Sequence, residues 1–356
     1  MRKGWEYKRW KEVLTIINGK NQSAVVDENG EYPIYGSGGI MGYANNWLCP
    51  ENCVIIGRKG NINKPIFVET KFWNVDTAFG LNANKEYLLP KFLYYFCLDY
   101  NFERHNKAVT IPSLTKADLL KIDIPLPPLS TQLAIVSELD KINELIRLKK
   151  EQLKDFDNLA QSLFYEMFGE GKCLRKKLKD IVKIQSGQVS PLEEPYSEMI
   201  HVGPANIESN TGRLLNLKTA KEENLISGKY LFNSSMVLYS KIRPNLNKVT
   251  IPSFEGICSA DMYPIIPLEC IDKNFLLFLL KQKEFLTYAI SNSGRANIPK
   301  INREALLNYE AILPPLSLQR LFAQRIEQIE REKSEVQKSI QDLETLQASR
   351  MQYWFE

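Results

Sequence analysis

Long apolar runs are missing from this 356-residue chain. Its greasiest stretch, "FLLFLL" from Phe275, suits a buried helix and falls far short of the ~18–20 residues that span a bilayer. The opening "MRKGWEYKRW" lacks the apolar core of a secretory signal, so a cytoplasmic protein with no membrane attachment is expected. Cysteine is sparse: six residues, at 49, 53, 97, 173, 258 and 270, without framework spacing. That excludes a disulfide scaffold and fits a reducing compartment. Cys49 and Cys53 stand four apart, like half of a zinc site, but no second cysteine or histidine pair has ligand spacing, so no metal is expected. The only two histidines, His105 and His201, are isolated.

Signals of nucleotide chemistry are missing too. "GSGGIMG" from Gly36 has the glycines of a phosphate loop but not the terminal Gly-Lys-Ser/Thr, and no helix pattern follows it. It reads as a loop turn. The chain is also too long for one ordinary core, so two globular units are expected. The net charge of +4 is unevenly spread. Residues 1–131 carry net +3 and residues 169–316 net +4, whereas residues 132–168 carry −2 and residues 317–356 carry −1. The two positive segments suit a polyanion, and the other two suit protein partners.

What the chain does have is an internal repeat. "WKEVLTIINGK" from Trp10 matches "LKDIVKIQSGQ" from Leu178, each reading as a short strand ended by a glycine turn. "CVIIGRKGNINK" from Cys53 matches "MVLYSKIRPNLNK" from Met236, each an apolar strand followed by a basic loop with asparagines. "TIPSL" from Thr110 matches "NIPKI" from Asn297. "PLPPLSTQ" from Pro125 returns as "LPPLSLQ" from Leu313. The offset drifts from 168 to 183 to 187 along the repeat and then stays fixed, so insertions fall between strands and a rigid element closes each half.

Those closing elements read as long helices. The prolines block backward extension, and Ser130 and Ser317 are good N-caps, although a Glu or Gln three residues on is missing. Apolar residues recur with heptad spacing at Leu139, Ile142, Ile146, Leu153, Phe156, Ala160, Leu163 and Met167, with Lys149 interrupting. Adding 187 gives Ile326, Ile329, Lys333, Val336, Ile340, Leu343, Gln347, Arg350 and Trp354. No glycine or proline breaks residues 132–168 or 319–356, so each helix should run roughly 37 residues, or about 55 Å. A seam this narrow points to the two helices pairing within the chain as a coiled coil. The expected fold is α+β: two similar mixed α/β domains, each followed by a long helix, with boundaries at 1–131, 132–168, 169–316 and 317–356. Two diverged readers on a stiff rod suit duplex DNA, whose turn of about 34 Å presents separated features on one face.

The phrases "PLPPLSTQLAIVSELDKINELI", "LPPLSLQRLFAQRIEQI" and "LAQSLFYEMFG" resemble the specificity (S) subunit of type I restriction–modification systems, over essentially the whole chain. The resemblance implies two target recognition domains, each reading one half of an asymmetric bipartite site in double-stranded DNA. It also implies antiparallel helices that set the spacing, with a pseudo-two-fold relation between the halves. Two methyltransferase (M) subunits carrying S-adenosylmethionine and restriction (R) subunits using ATP and Mg would be the partners. This chain itself would be non-catalytic and bind no cofactor. In agreement, an adenine methyltransferase needs an Asn/Asp-Pro-Pro-aromatic motif, and here Leu129 and Leu316 follow the prolines in "LPPL". Lys333, Gln347 and Arg350 depart from an apolar seam and need partners or a place near an end.

Candidate DNA contacts are the loops after the matched strands: Arg58, Lys59, Asn61, Asn63 and Lys64, and Lys241, Arg243, Asn245, Asn247 and Lys248. Lysine and arginine neutralise phosphates, and asparagine and arginine bond base edges in pairs. A second set flanks the "IP" phrases: Asn106, Lys107 and Thr110, with Arg295 and Asn297. The alternatives are a coiled-coil protein–protein scaffold without DNA readout and a self-contained methyltransferase.

Overall fold

The computed structural model describes residues 5–106, 110–169, 173–294 and 297–355. The chain forms two compact units, Met1–Leu153 with Val336–Glu356, and Lys154–Glu335. Neither unit is a contiguous repeat. Each takes the near part of one long helix and the far part of the other, so the compact units cut across the segment boundaries expected from the sequence.

The first unit is built on an antiparallel sheet in the order Leu14–Asn18, Ala78–Ala83, Cys53–Gly57, Ile66–Val68. All five residues of Cys53–Gly57 are buried, as a central strand of valine and isoleucine should be. The second unit repeats this order with Val182–Ile184, Met262–Pro267, Val237–Ser240, Val249–Thr250. Here too the equivalent strand, Val237–Ser240, is buried throughout. The matched opening segments are strands only in part. Trp10–Val13 is a helical turn before its strand, and Leu178–Asp180 is a 3-10 turn before its own. Burial of the Trp10 and Leu178 side chains overrides the alternation that read as strand. Each unit adds a sheet of its own: Gly39–Ala44, Tyr32–Gly36 and Trp73–Asn74 in the first, and five short strands around Gly256–Cys258 in the second.

The long helices run Leu129–Phe168 and Leu316–Phe355. The Pro128 carbonyl accepts the N–H groups of Thr131 and Gln132, and the Pro315 carbonyl those of Leu318 and Gln319. Ser130 and Ser317 therefore lie inside the first turn, and the N-cap expectation is corrected. The reason is the residue two further on. Gln132 and Gln319 are fully buried. Gln132 Oε1 accepts from Leu89 N at 2.9 Å, and its Nε2 donates to the carbonyls of Tyr87 (2.8 Å) and Pro127 (3.0 Å). Gln319 does the same with Asp272 N (2.8 Å), Cys270 O (3.0 Å) and Pro314 O (2.7 Å). This latch, set between the proline phrase and the turn that starts the next helix inward, is why the phrase occurs twice.

Within the first unit, Leu139, Ile142, Ile146, Val336 and Ile340 are buried and Leu153 and Leu343 half-buried. The Arg350 guanidinium grips Glu138, donating to Oε2 at 3.0 Å and to Oε1, and Trp354 Nε1 adds a bond to the same carboxylate at 3.1 Å. Gln347 Nε2 donates to Asn143 Oδ1 at 2.6 Å, and Lys150 meets Glu344 at 2.8 Å. As one partner's number rises the other's falls, so the helices run antiparallel here. Within the second unit Lys333 reaches Asp157 at 2.7 Å, and Phe322 packs on Phe164 and Phe168, again antiparallel. There Phe156, Leu163 and Ile326 are half-buried and Ile329 is buried. Lys333, Gln347 and Arg350 are thus paired across the helices, whereas Lys149 bonds Gln152 on its own helix at 3.3 Å; a polar pair among apolar ones fixes register.

One buried histidine gives the second unit a pH signature. His201 is 7% exposed, with Nδ1 2.7 Å from Glu223 Oε2 and Nε2 without a partner among the described residues. Burial holds its pKa below the ordinary 6.5, against the pull of Glu223. The unfolded chain therefore binds more protons once pH drops below about 6.5, and stability falls on acidification through that value. Calorimetric melting midpoints should drop from pH 7 to pH 5 and drop less in His201→Gln; equal slopes in the two proteins would refute this assignment.

Candidate nucleic-acid interface

In the first unit the buried strand Cys53–Gly57 runs into an exposed loop. The Arg58 carbonyl accepts from Leu114 N at 2.9 Å, and Gly60 N donates to the Pro112 carbonyl at 3.1 Å. In the second unit the Lys241 carbonyl accepts from Ile301 N at 3.0 Å, and Arg243 N donates to the Pro299 carbonyl at 2.7 Å. These are the same two bonds, at offsets of 183 for the loop and 187 for the "IP" segment. The two sets of candidates in each half, far apart in sequence, therefore form one surface. A short isolated bridge reinforces each tie, Lys59 with Ser113 and Ile242 with Lys300.

The candidates separate into exposed groups and structural ones. Lys59, Asn61 and Lys64 are exposed, as are Thr110, Arg243, Asn245 and Asn297. Arg58 is exposed but partly held, with Nη1 3.3 Å from the Asp76 carbonyl and its guanidinium 5.9 Å from the Phe79 ring centre. Asn63 instead accepts from Phe102 N at 2.8 Å and donates to Asn101. Asn106 accepts from Ser113 N at 3.1 Å and donates to Glu103. Asn247 is 8% exposed and donates to the Lys281 carbonyl at 3.3 Å. Lys248 donates to the Pro204 carbonyl at 2.7 Å. The bonds of these four hold loops in place, although Asn63 is itself exposed. Lys241 is half-buried, 3.8 Å from Asp261, and burial lowers its pKa, helped by Lys300 nearby. Lys107 and Arg295 lie outside the described residues.

The loops differ in backbone strain. Gly60 has φ +79, and its counterpart Arg243 has φ +47 with ψ 59, a left-handed conformation costly for a residue with a Cβ. Strain of this kind is kept where a side chain is needed. Arg243→Gly should raise stability by about 0.5–1 kcal/mol, the αL relief less the added unfolded-state entropy of glycine. It should also weaken DNA binding. Chemical denaturation paired with a binding titration checks both; a destabilised variant would show that the arginine side chain supports the fold.

Beside the first loop stands the hairpin of Tyr32–Gly36 and Gly39–Ala44, whose turn is the glycine-rich motif. A Cβ added to Gly60 would lie 3.9 Å from Ser37 Oγ, and one added to Gly38 would lie 3.9 Å from Asn61 Nδ2, so hairpin tip and loop adjoin. Cys49 and Cys53 are buried, and Cys49 Sγ donates to Asn74 Oδ1 at 3.2 Å. Burial pushes the Cys53 thiol up to about 12 and raises the Cys49 thiol further. Among the described residues no group of three or more His, Cys, Asp or Glu could hold a metal ion, and no helix is long and apolar enough to cross a membrane.

Two recognition-sized folds, each closed by a long helix and each tying a basic loop to an "IP" segment, define a duplicated specificity module. The chain belongs to the type I restriction modification DNA specificity domain family, whose model matches residues 2–155 and 174–345, one match in each half. It is similar to the type I restriction enzyme EcoDI specificity subunit of Escherichia coli, 28% identical over 369 aligned positions covering 91% of this chain and 81% of that protein. It is also similar to the MjaVIII specificity subunit of Methanocaldococcus jannaschii, 25% identical over 387 positions, with 94% and 90% covered. In fold it matches the crystal structure of the type I restriction-modification S subunit from M. genitalium, with a TM-score of 0.64, 16% identity and 99% and 96% coverage. A chain from a structure of type I restriction–modification complex assembly gives a TM-score of 0.62 at 17% identity, with 99% and 97% covered.

Proposed function

We propose that this chain is the DNA-reading, non-catalytic specificity subunit of a type I restriction–modification complex. The observation that carries the reading is the twice-built surface. In each half, two equivalent backbone bonds hold an exposed, cation-bearing loop against an "IP" segment at the end of a buried strand. Each half reads one part of a bipartite site, and the helices dock two methyltransferase subunits. The methyl donor, S-adenosylmethionine, then belongs to those subunits, and ATP with Mg to the restriction subunits. The complex works on double-stranded DNA in the cytoplasm. The paired seam, spanning both helices as an antiparallel coiled coil, is the device that sets the distance between the half-sites.

Mapping methylated adenines across the host genome with and without the chain tests this. One split sequence with an unread spacer should be methylated only when the chain is present. Affinity of the complex for that sequence should fall steeply between 50 and 200 mM salt as counterions are released. Methylation that is unaffected by deleting the chain would refute the role.

A further inference from the structure

The hairpin beside the first basic loop carries apolar side chains that stay largely exposed among the described residues. Ile40 is 56% exposed, Met41 64% and Tyr43 46%. Single exposed apolar residues are ordinary, but three within four positions on one edge strand are not. Regular alternation would turn one of two consecutive residues inward. Here Ile34 pairs with Gly42 and Tyr35 with Ile40, which leaves Met41 as the extra residue of a bulge, and Ile40 and Met41 both face outward. Bulges re-aim side chains and cluster beside functional sites.

The neighbours say what covers this edge. The hairpin tip adjoins the loop that carries Arg58, Lys59 and Lys64, so cations that neutralise phosphates share its surface. Among the four ordinary bases, the group in the major groove suited to an apolar side chain is the C5-methyl of thymine. Resting on the DNA-reading role proposed above, we infer that Gly36–Ala44 is a second base-reading element of the first half, with Ile40 and Met41 packed on a thymine methyl group. The glycine-rich turn lets the backbone approach the duplex, since a side chain at Gly39 or Gly42 would meet nothing within 4 Å on the protein side.

The test uses the full chain assembled with its methyltransferase partners and a duplex carrying the mapped site. Each thymine is replaced in turn by deoxyuridine, which lacks only the methyl. At one position affinity should fall about fourfold, the ratio expected for one buried methyl group. The Ile40→Ser/Met41→Ser variant should bind the thymine duplex more weakly and be blind to that replacement, and the relaxed base should lie in a single half-site. Ile40→Ala and Met41→Ala, the second giving up the packing of the Met41 sulfur against Gly36, replace the double variant if it fails to fold. Affinity insensitive to the methyl at every thymine overturns the inference and leaves the specificity role standing, as does full discrimination by the folded variant. A wild-type complex without any sequence preference overturns both.

Discussion

Reversing Arg58, Lys59 and Lys64 to glutamate should lower the affinity of the assembled complex for its DNA site between a hundred- and a thousandfold at about 0.1 M salt. Each cation that neutralises a phosphate adds about 0.9 to the slope of log affinity against log salt, hence roughly 0.9 decade at 0.1 M. Three such contacts give about 2.7 decades, and repulsion by the new carboxylates adds to this. The salt slope itself should drop by about 2.7. All three side chains are exposed, so the melting midpoint should stay within about 2 °C of wild type. Among the described residues the Lys59 and Lys64 side chains give up no hydrogen bond, and Arg58 loses one long bond to the Asp76 carbonyl and its place over the Phe79 ring. A complex whose affinity and salt slope are both unchanged would show that DNA does not touch this loop. Reversing Arg243 in the same way should disturb the other half-site, which separates the two readers.

The second large effect is expected at the buried glutamines. Gln319→Ala strands Asp272 N and the carbonyls of Cys270 and Pro314. Each buried group left unpaired costs about 1–3 kcal/mol, so the three together cost roughly 3–9 kcal/mol, much of a domain's 5–15 kcal/mol stability. Asp272 is also the N-cap of the helix Lys273–Lys281, with its carboxylate accepting from Asn274 N and Phe275 N. Loosening its backbone therefore frees Phe275, which packs against Phe168 and Phe322. Gln132→Ala should injure the first unit in the same way through Leu89, Tyr87 and Pro127. Glutamate at either position is no remedy, since it removes the two donations and buries a charge. Urea unfolding followed by a probe in each unit should show only the substituted unit melting early; a shift under 1 kcal/mol would mean that water takes over the latch.

The helices and the repeat were legible because their signals are periodic. Heptad spacing at Leu139, Ile142 and Ile146 needs no tertiary context to be seen. A repeat with loop insertions is equally visible, and the strand orders of the two units agree with it. Loop chemistry was less legible. An asparagine that reads a base and one that bonds the backbone look alike in sequence: Asn63 and Asn106 accept from backbone N–H groups, and Asn247 donates to a backbone carbonyl. Lys248 shows the same ambiguity. The latch left a trace, glutamine recurring 187 residues apart after each proline phrase, but two of its three partners in each half lie 40 or more residues upstream. The bulge at Met41 had no signal beyond the glycines beside it.

The assignment of Val336–Glu356 to the unit that begins the chain has a consequence on the ribosome. Met351 belongs to the core of that unit, and Trp354 and Phe355 pack onto it, Trp354 stacking on Trp5 and Phe355 meeting Phe92 at a tilt. After Leu153 is made, the missing pieces arrive only once the intervening unit has been translated, roughly 10–40 s later at ordinary elongation speeds. During that wait the nascent polypeptide displays an unfinished apolar face, which makes this unit the natural client of a chaperone and gives it little chance of folding first.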